Sequence, residues 1–191
     1  MMTENNNITT HPAYRWRILI FVAVGIFVVT LDQWTKWLIT QNVPLNTSQA
    51  PFPDLYPYFQ FSHVSNTGTA FGFLPQAKWV FTALAVVVTI GLVFYNNIER
   101  LPNWKLRIAL GLLWGGAMGN LIDRFRIGHV TDFINFNLRP LLQPALDIRI
   151  LDWAVFNIAD LAISTGVVLL ALHLWLDHEQ INQAAAAQEV N

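Results

Sequence analysis

Read for runs of apolar residues, the chain falls into four long hydrophobic stretches, 18–39, 77–95, 106–122 and 153–176. The first reaches ~33 Å at a helical rise of about 1.5 Å per residue, enough to cross a bilayer with some tilt. It is opened by Arg15-Trp16-Arg17, and its helical pattern runs on into Asp32-Gln33-Trp34-Thr35-Lys36-Trp37. No small-x-small cleavage pattern follows, so a retained helix is expected and not a removed signal peptide. Between 41 and 75, prolines, asparagines and aromatics break the helical period; this predicts an external segment near the interface, with short strands around 58–64. Residues 96–107, with Glu99, Arg100, Pro102, Lys105 and Arg107, read as a short hydrophilic hairpin. Residues 1–14 are polar and expected to be loosely held, and the Ala- and Gln-rich tail 178–191 is expected to be unstructured. There is no repeat and no second domain. The expected fold is an all-α membrane protein: one integral-membrane domain over 1–191, four transmembrane helices, and a small extracytoplasmic interfacial segment, containing the strands, between helices 1 and 2.

Composition strengthens this reading. Hydrophobic residues make up 54% of the 191 and charged ones 12%, with mean hydropathy +0.40, a balance that belongs to membrane proteins. Seven of the eight tryptophans, all but Trp114, fall near the ends of the proposed spans, where interfacial aromatic belts sit. A net charge of -1 leaves no basic stripe for nucleic acid. With no cysteine, and with His11, His63, His129, His173 and His178 in no ligand spacing, neither a thiol nucleophile nor a metal site is expected. Arg15 and Arg17 before the first span, Arg100, Lys105 and Arg107 between the second and third, and a first long loop without Lys or Arg place both termini in the cytoplasm. Arg124, Arg126, Arg139 and Arg149 count against this orientation, which rests on the first helix and first loop.

Span-by-span alternation in an antiparallel four-span bundle then has a chemical consequence. It gathers at one membrane face, the outer one, Asp32 and Lys36, the loop Asn66-Thr67-Gly68-Thr69-Ala70-Phe71-Gly72, Asn120, Asp123 and Arg124, Asp132, and Asn157 with Asp160. Asn157 and Asp160 are spaced i, i+3 and share a helix face, with Asp160 expected roughly 10 Å below Trp153 on a helix beginning there. Asp132 follows the third span and can approach it. Two carboxylates facing each other in a low-dielectric site share a proton, so that one is a base for water and the other an acid toward a carbonyl oxygen. This is amide hydrolysis without a covalent intermediate. Arg124, Asn120 and Asn157 are suited to fixing that geometry by directional hydrogen bonds.

Plainer readings stand beside these. Asp32 and Lys36 also fit an interfacial i, i+4 pair with a snorkelling lysine. Gly111, Gly115 and Gly119 form a small-xxx-small row suited to close helix packing. Asp123 with Arg124 reads as an end-of-helix ion pair, Asp152 as a helix cap, and Asp147 as solvated. A proton-coupled carrier would also use intramembrane carboxylates, but near the midplane and in pseudo-symmetric halves; an assembly protein built on the glycine row leaves the aspartates unexplained.

At these residues the sequence resembles the lipoprotein signal peptidase family, or signal peptidase II, the membrane aspartic peptidases of bacteria. Five motifs carry the resemblance, in order, from about residue 18 to 172: Asp32-Gln33-Trp34-Thr35-Lys36, the Asn66 to Gly72 loop, Gly115-Gly116-Ala117-Met118-Gly119-Asn120-Leu121-Ile122-Asp123-Arg124, Val130-Thr131-Asp132-Phe133 and Phe156-Asn157-Ile158-Ala159-Asp160. The resemblance implies that Asp132 and Asp160 are the catalytic dyad and that Asp32, Lys36, Asn66, Gly68, Asn120, Arg124 and Asn157 line or support the site. It implies as substrate a diacylglyceryl-modified prolipoprotein held in membrane lipid, cut on the N-terminal side of the lipidated cysteine. It further implies no cofactor, a place in the bacterial cytoplasmic (inner) membrane and inhibition by the cyclic peptide globomycin; a monomer is expected because one chain supplies both acids. The segment 137–151 makes the separation of the aspartates longer than the family leads one to expect, and its apolar residues and two prolines suggest an interfacial lid.

Overall fold

The computed structural model describes residues 12–56, 58–68, 77–98, 103–137 and 155–189. Four long helices and one small sheet follow in the order α1 (Pro12–Asn42), β1 (Ser48–Gln49), a single 3-10 turn (Pro53–Leu55), β2 (Phe59–Asn66), α2 (Ala77–Ile98), α3 (Trp104–Arg126), β3 (Val130–Phe136) and α4 (Ile158–Glu189). The four apolar stretches are thus helical, and the helices run beyond them: α1 starts at Pro12, inside the segment expected to be loosely held, α2 ends at Ile98, and α3 spans Trp104–Arg126, taking in part of the expected hairpin; the largest changes are in the fourth. The fourth helix begins at Ile158 and not near 153, and it continues to Glu189 through the tail expected to be unstructured. The run of Ala, Gln and Glu there has high helix propensity, which a helix already nucleated by the apolar segment extends. The segments 1–11, 69–76, 99–102 and 138–154, and with them Trp153, Asp147, Asp152 and nearly all of the long loop 137–151, lie outside the described residues.

Helix α3 is the hub, packed against each of the other three. Its glycines set how closely α1 approaches: a Cβ on Gly111 would lie 2.9 Å from the Phe21 carbonyl oxygen, and one on Gly115 2.8 Å from that of Gly25. On the α4 side, a Cβ on Gly116 would overlap the Ala159 carbonyl oxygen. The glycine row is therefore a packing device, as small residues are in helix pairs without a water-driven collapse. Trp114, the one tryptophan within a span, fills the space over Gly25 and stacks obliquely on Phe21 at 5.8 Å.

Outward-facing side chains of α1, α2 and α4 are apolar: Ile26, Phe27, Val87, Ile90, Val168 and Leu172 are all exposed. The segments Ile18–Asn42 and Ile158–Glu179 are each long and apolar enough to cross a membrane, with only 22% and 17% of their most apolar windows buried, and Thr82–Asn96 is a shorter apolar segment. A surface this apolar on these helices is matched to lipid, not to water.

The sheet sits at one end of the bundle, antiparallel in the order β1-β2-β3. The expected strand around 58–64 is β2, two residues further along; β3 was not foreseen. Phe133 and Ile134 of β3 cluster with Ile39 and Val43 at the end of α1, with Phe59, Phe61 and Phe156 packed around them. Phe156 closes the far edge by pairing with Ile134, its amide donating to the Ile134 carbonyl at 3.1 Å and its carbonyl accepting from Ile134 at 2.7 Å. That bridge delivers the chain to the start of α4 beside β3.

Because the α1–α3 approach admits no extra atom at Gly115 while nothing lies within 4 Å of a Cβ on Gly91, the same substitution has opposite signs at the two sites. Gly91→Ala gains roughly 0.5–1 kcal/mol from helix propensity, whereas Gly115→Ala loses about 1–3 kcal/mol to overpacking. Thermal unfolding in detergent compares them, and a melting point for Gly115→Ala at or above wild type contradicts the packing assignment.

Candidate active site

The polar residues of α1, α3, β2, β3 and α4 meet where the sheet joins the bundle, where the Asp160 carboxylate is held by backbone and side chain and that of Asp132 by two side chains. Asp160 stands in the first turn of α4. The Asn157 carbonyl accepts the first helical hydrogen bond from Leu161 at 3.2 Å. Asn157 Oδ1 accepts from the Asp160 amide at 3.0 Å, and Asp160 Oδ2 accepts from the Asn157 amide at 3.1 Å. This is a reciprocal capping box in which Asn and Asp take the two cap positions, so the i, i+3 spacing is a cap before it is a shared face. Asp160 lies at the helix mouth, not ~10 Å inside a helix begun at Trp153.

Asp132 reaches the same place from β3. Along β3 the residues 132, 134 and 136 share a face, opposite Val64, Phe61 and Phe59 of β2, and the register shifts between Phe61 and Val64. One extra residue on β2 therefore reverses its parity: 59 and 61 face the aromatic side before the irregularity, and 64 and 66 after it. Without it His63 and Ser65 would flank Asp132 and Asn66 would point to the other face. With it, Asn66 Nδ2 donates to Asp132 Oδ2 at 2.8 Å. Asn66 Oδ1 in turn accepts from the Gly68 amide at 2.8 Å in a tight turn that needs Gly68 at φ 77°. The other oxygen, Asp132 Oδ1, accepts from Asn157 Nδ2 at 2.7 Å.

Both candidate acids are thus bonded to Asn157, and a third amide completes the frame. Asn120 Nδ2 donates to Asp160 Oδ1 at 2.8 Å while its Oδ1 accepts from Asn157 Nδ2 at 3.1 Å and from Lys36 Nζ at 3.0 Å. Lys36 can only donate and a carboxylate can only accept, which fixes the orientation of this amide. Lys36 also pairs with Asp32 Oδ2 at 2.8 Å and Asp123 Oδ2 at 3.0 Å. Those two carboxylates then each hold the backbone next to an acid: Asp32 Oδ1 accepts from the amide of Ala159, which precedes Asp160, at 3.0 Å, and Asp123 Oδ2 accepts from the amide of Thr131, which precedes Asp132, at 3.1 Å.

Burial of these groups settles two open alternatives. Asp32 is 0% exposed and Lys36 3%, so theirs is an interior ion pair and not a snorkelling interfacial one. Asp123 bonds to Lys36, Gln33 and Thr131, not in an end-of-helix pair with Arg124; a buried ammonium with a free N–H outcompetes a neighbour whose side chain leaves the helix elsewhere. Arg124 Nη1 donates to the Asn120 carbonyl at 3.3 Å and its charge faces Asp160, Asp132 and Asp123. Gly119 presses on the site itself, since a Cβ there would lie 2.6 Å from Asp32 Oδ2. Gln33 was missed: its Nε2 donates to Asp123 Oδ1 at 2.9 Å and to Asp32 Oδ2 and the Gly119 carbonyl at 3.2 Å, and its Oε1 accepts from Arg126. Its place between Asp32 and Lys36 in the first motif is the sequence signal that points to it. Thr69 to Gly72 lie outside the described residues.

Electrostatically the site holds Asp32, Asp123, Asp132 and Asp160 against Lys36 and Arg124, an excess of carboxylates. Burial pushes the Asp132 carboxyl up to about 6; the Asn66 hydrogen bond pulls it down, the nearby Asp160 charge pushes it up, and Asn157 and Lys36 offset part of the rise. The groups gather at one end of the bundle, unlike the midplane site of a carrier. Among the described residues, no cluster of His, Asp and Glu is arranged to hold a metal ion. Removing the ammonium strands two buried carboxylates, so Lys36→Met costs roughly 3–5 kcal/mol of stability, and adding Asp123→Asn to it restores part of the loss. Melting temperatures of the single and double variants in detergent check this; a double variant less stable than the single is incompatible with the charge count.

Residues 24–176 match the family model described as signal peptidase (SPase) II. The chain is 37% identical over 158 residues to the lipoprotein signal peptidase of Symbiobacterium thermophilum, covering 83% of this chain and 95% of that one. It is 38% identical over 158 residues to that of Moorella thermoacetica, covering 82% and 93%. Two solved structures described as bacterial membrane enzymes share the fold, at TM-score 0.68 with 30% identity over 81% of this chain and 91% of that one, and at TM-score 0.69 with 29% identity over 84% and 90%. A chain matched by the family model over most of its length, with these relatives and this fold, belongs to the signal peptidase II family of bacterial membrane enzymes.

Proposed function

We propose that the chain removes the signal peptide from diacylglyceryl-modified prolipoproteins, cleaving on the N-terminal side of the lipidated cysteine, with Asp132 and Asp160 as an aspartic dyad. The observation that carries the reading is the bonding of both carboxylates to the one residue Asn157, at 2.7 Å to Asp132 and 3.1 Å to Asp160. Each acid keeps lone pairs for a water beyond these bonds. Asp132, held neutral by its surroundings up to about pH 6, donates its proton to the scissile carbonyl oxygen, while Asp160 takes a proton from the attacking water. The tetrahedral diol then collapses as the cysteine nitrogen leaves with the proton held by Asp160, and Asp132 recovers its own. Asn66, Asn120 and Asn157 fix the carboxylates, Gly68 forms the turn that orients Asn66, and Asp32 and Lys36 hold the two backbones; Arg124 offsets the charge of the cluster.

The placement suits a lipid-borne substrate. We read all four helices as crossing the bacterial inner membrane with both termini cytoplasmic and the site near the outer face. The charges Lys105 and Arg107 at the opposite end of α3, and the absence of Lys and Arg from 42–76, support that orientation. The substrate's acyl chains then stay in the bilayer while its scissile bond meets the dyad. Because one chain supplies both acids, the enzyme acts as a monomer, and a globomycin-type cyclic peptide would compete for the dyad.

In detergent with a diacylglyceryl-prolipoprotein, Asp132→Asn and Asp160→Asn each lose on the order of 10²–10⁴ in rate, read by gel shift of the released signal peptide. Either folded variant retaining full activity would reassign the acids. As pH rises, kcat/KM falls with an apparent pKa of about 6 as the donor form of Asp132 is lost. The Asn66 hydrogen bond stabilises the ionised form, so Asn66→Ala moves this limb upward; a limb that moves downward or stays fixed overturns the assignment of Asp132 as the proton donor.

A further inference from the structure

At the end of α3 remote from the acids, ~20 Å along α4 from Asp160 to His173 at about 1.5 Å per residue, the bundle opens into a groove of about 510 Å³ between the first turns of α3 and the later turns of α4. Ile108, Leu169, Leu172 and Leu176 form its walls, and Trp104, Lys105, His173 and Asp177 line its polar parts. Trp104 and, nearby on α4, Trp175 are exposed, as side chains at an interface are. No step of the proposed cleavage uses any of these groups.

The polar part is ordered by hydrogen bonds whose directions can be read. Asn103 caps α3, its Oδ1 accepting from the amides of Lys105 at 3.0 Å and Leu106 at 3.3 Å. Its Nδ2 is therefore the group that meets His173 Nδ1 at 3.1 Å, and it donates. His173 Nδ1 is then an acceptor, its proton sits on Nε2, and Nε2 donates to Asp177 Oδ2 at 3.3 Å. A neutral histidine so placed orients the Asp177 carboxylate without cancelling its charge. The Lys105 ammonium is 5.9 Å from the centre of the Trp104 ring, at the positive end of the α3 dipole. The groove thus offers an oriented anion, a cation and an apolar trough long enough for part of an acyl chain.

We propose that this groove binds a zwitterionic phospholipid with a primary ammonium headgroup, phosphatidylethanolamine being the form to use as probe. The lipid phosphate meets Lys105, its ammonium donates to Asp177, and one acyl chain lies against Ile108, Leu169, Leu172 and Leu176. An anionic lipid would leave Asp177 facing like charge, and a trimethylated choline headgroup has no N–H to give it.

The test uses the full chain in detergent, delipidated and then titrated with phosphatidylethanolamine, phosphatidylcholine or phosphatidylglycerol, reading retained lipid by native mass spectrometry and melting temperature in parallel. Wild type retains phosphatidylethanolamine at least several-fold more than the other two and gains melting temperature with it alone. Asp177→Asn abolishes the preference over phosphatidylcholine, and Leu172→Trp, which narrows the trough, abolishes retention; an unchanged melting temperature of the delipidated protein in both confirms their folding. Equal retention of the ethanolamine and choline lipids, a preference for phosphatidylglycerol, or wild-type selectivity in Asp177→Asn would each overturn the proposal. It stands independently of the dyad, since lipid retention is read without catalysis.

Discussion

An ammonium inside an apolar bundle must be surrounded by acceptors or not be there at all, and the architecture at the active end follows from how Lys36 meets that demand. Transfer of an isolated charge into such a medium costs several kcal/mol or more. Lys36 meets it with three donated bonds, to Asp32, Asp123 and Asn120, at 2.8 to 3.0 Å. Each acceptor is itself committed. Asp32 holds the amide before Asp160, Asp123 holds the amide before Asp132, and Asn120 holds Asp160 and, through Asn157, reaches Asp132. The relative position of a helix end and a strand is therefore set by a single point charge contributed by a third element.

Two local irregularities complete what that charge begins. The extra residue in β2 turns Asn66 to the face of Asp132, and the capping box turns Asp160 back on its own helix start. Neither depends on the remote lipid-facing surface. The long apolar faces of α1, α2 and α4 fix the protein in its solvent, and the glycines of α3 bring the helices close enough for short polar side chains to touch across them.

Much of this was legible in the chain because apolar periodicity and length are strong signals for helices in lipid, and because polar residues at the ends of such runs are costly enough to be informative. Asp32, Lys36, Asn66, Gly68, Asn120, Asp132, Asn157 and Asp160 do meet. What was hidden depends on neighbours distant in sequence. The strand β3 is hard to see in sequence although Val130-Thr131-Asp132-Phe133-Ile134 is rich in β-branched and aromatic residues, because its partner lies some seventy positions earlier. Asp123 was given to its neighbour Arg124, whereas its actual partner, Lys36, is on another helix. The start of α4 was set too early because the apolar run does not reveal where a cap interrupts it; Asn157-Ile158-Ala159-Asp160 has the spacing of a capping box, and the i, i+3 relation was instead assigned to a face.

That Asp160 is both a member of its helix's cap and a candidate acid has a bearing on safety. A protease embedded among other membrane proteins is a hazard while it is half-assembled. Here the carboxylate is in position only when the first turn of α4 is closed, and that turn is closed in part by Asp32, which is held from α1 through Lys36. Asp32 can hold the Ala159 amide only once α1 and α4 have met. The placing of Asp160 is thereby tied to the meeting of the first and last helices.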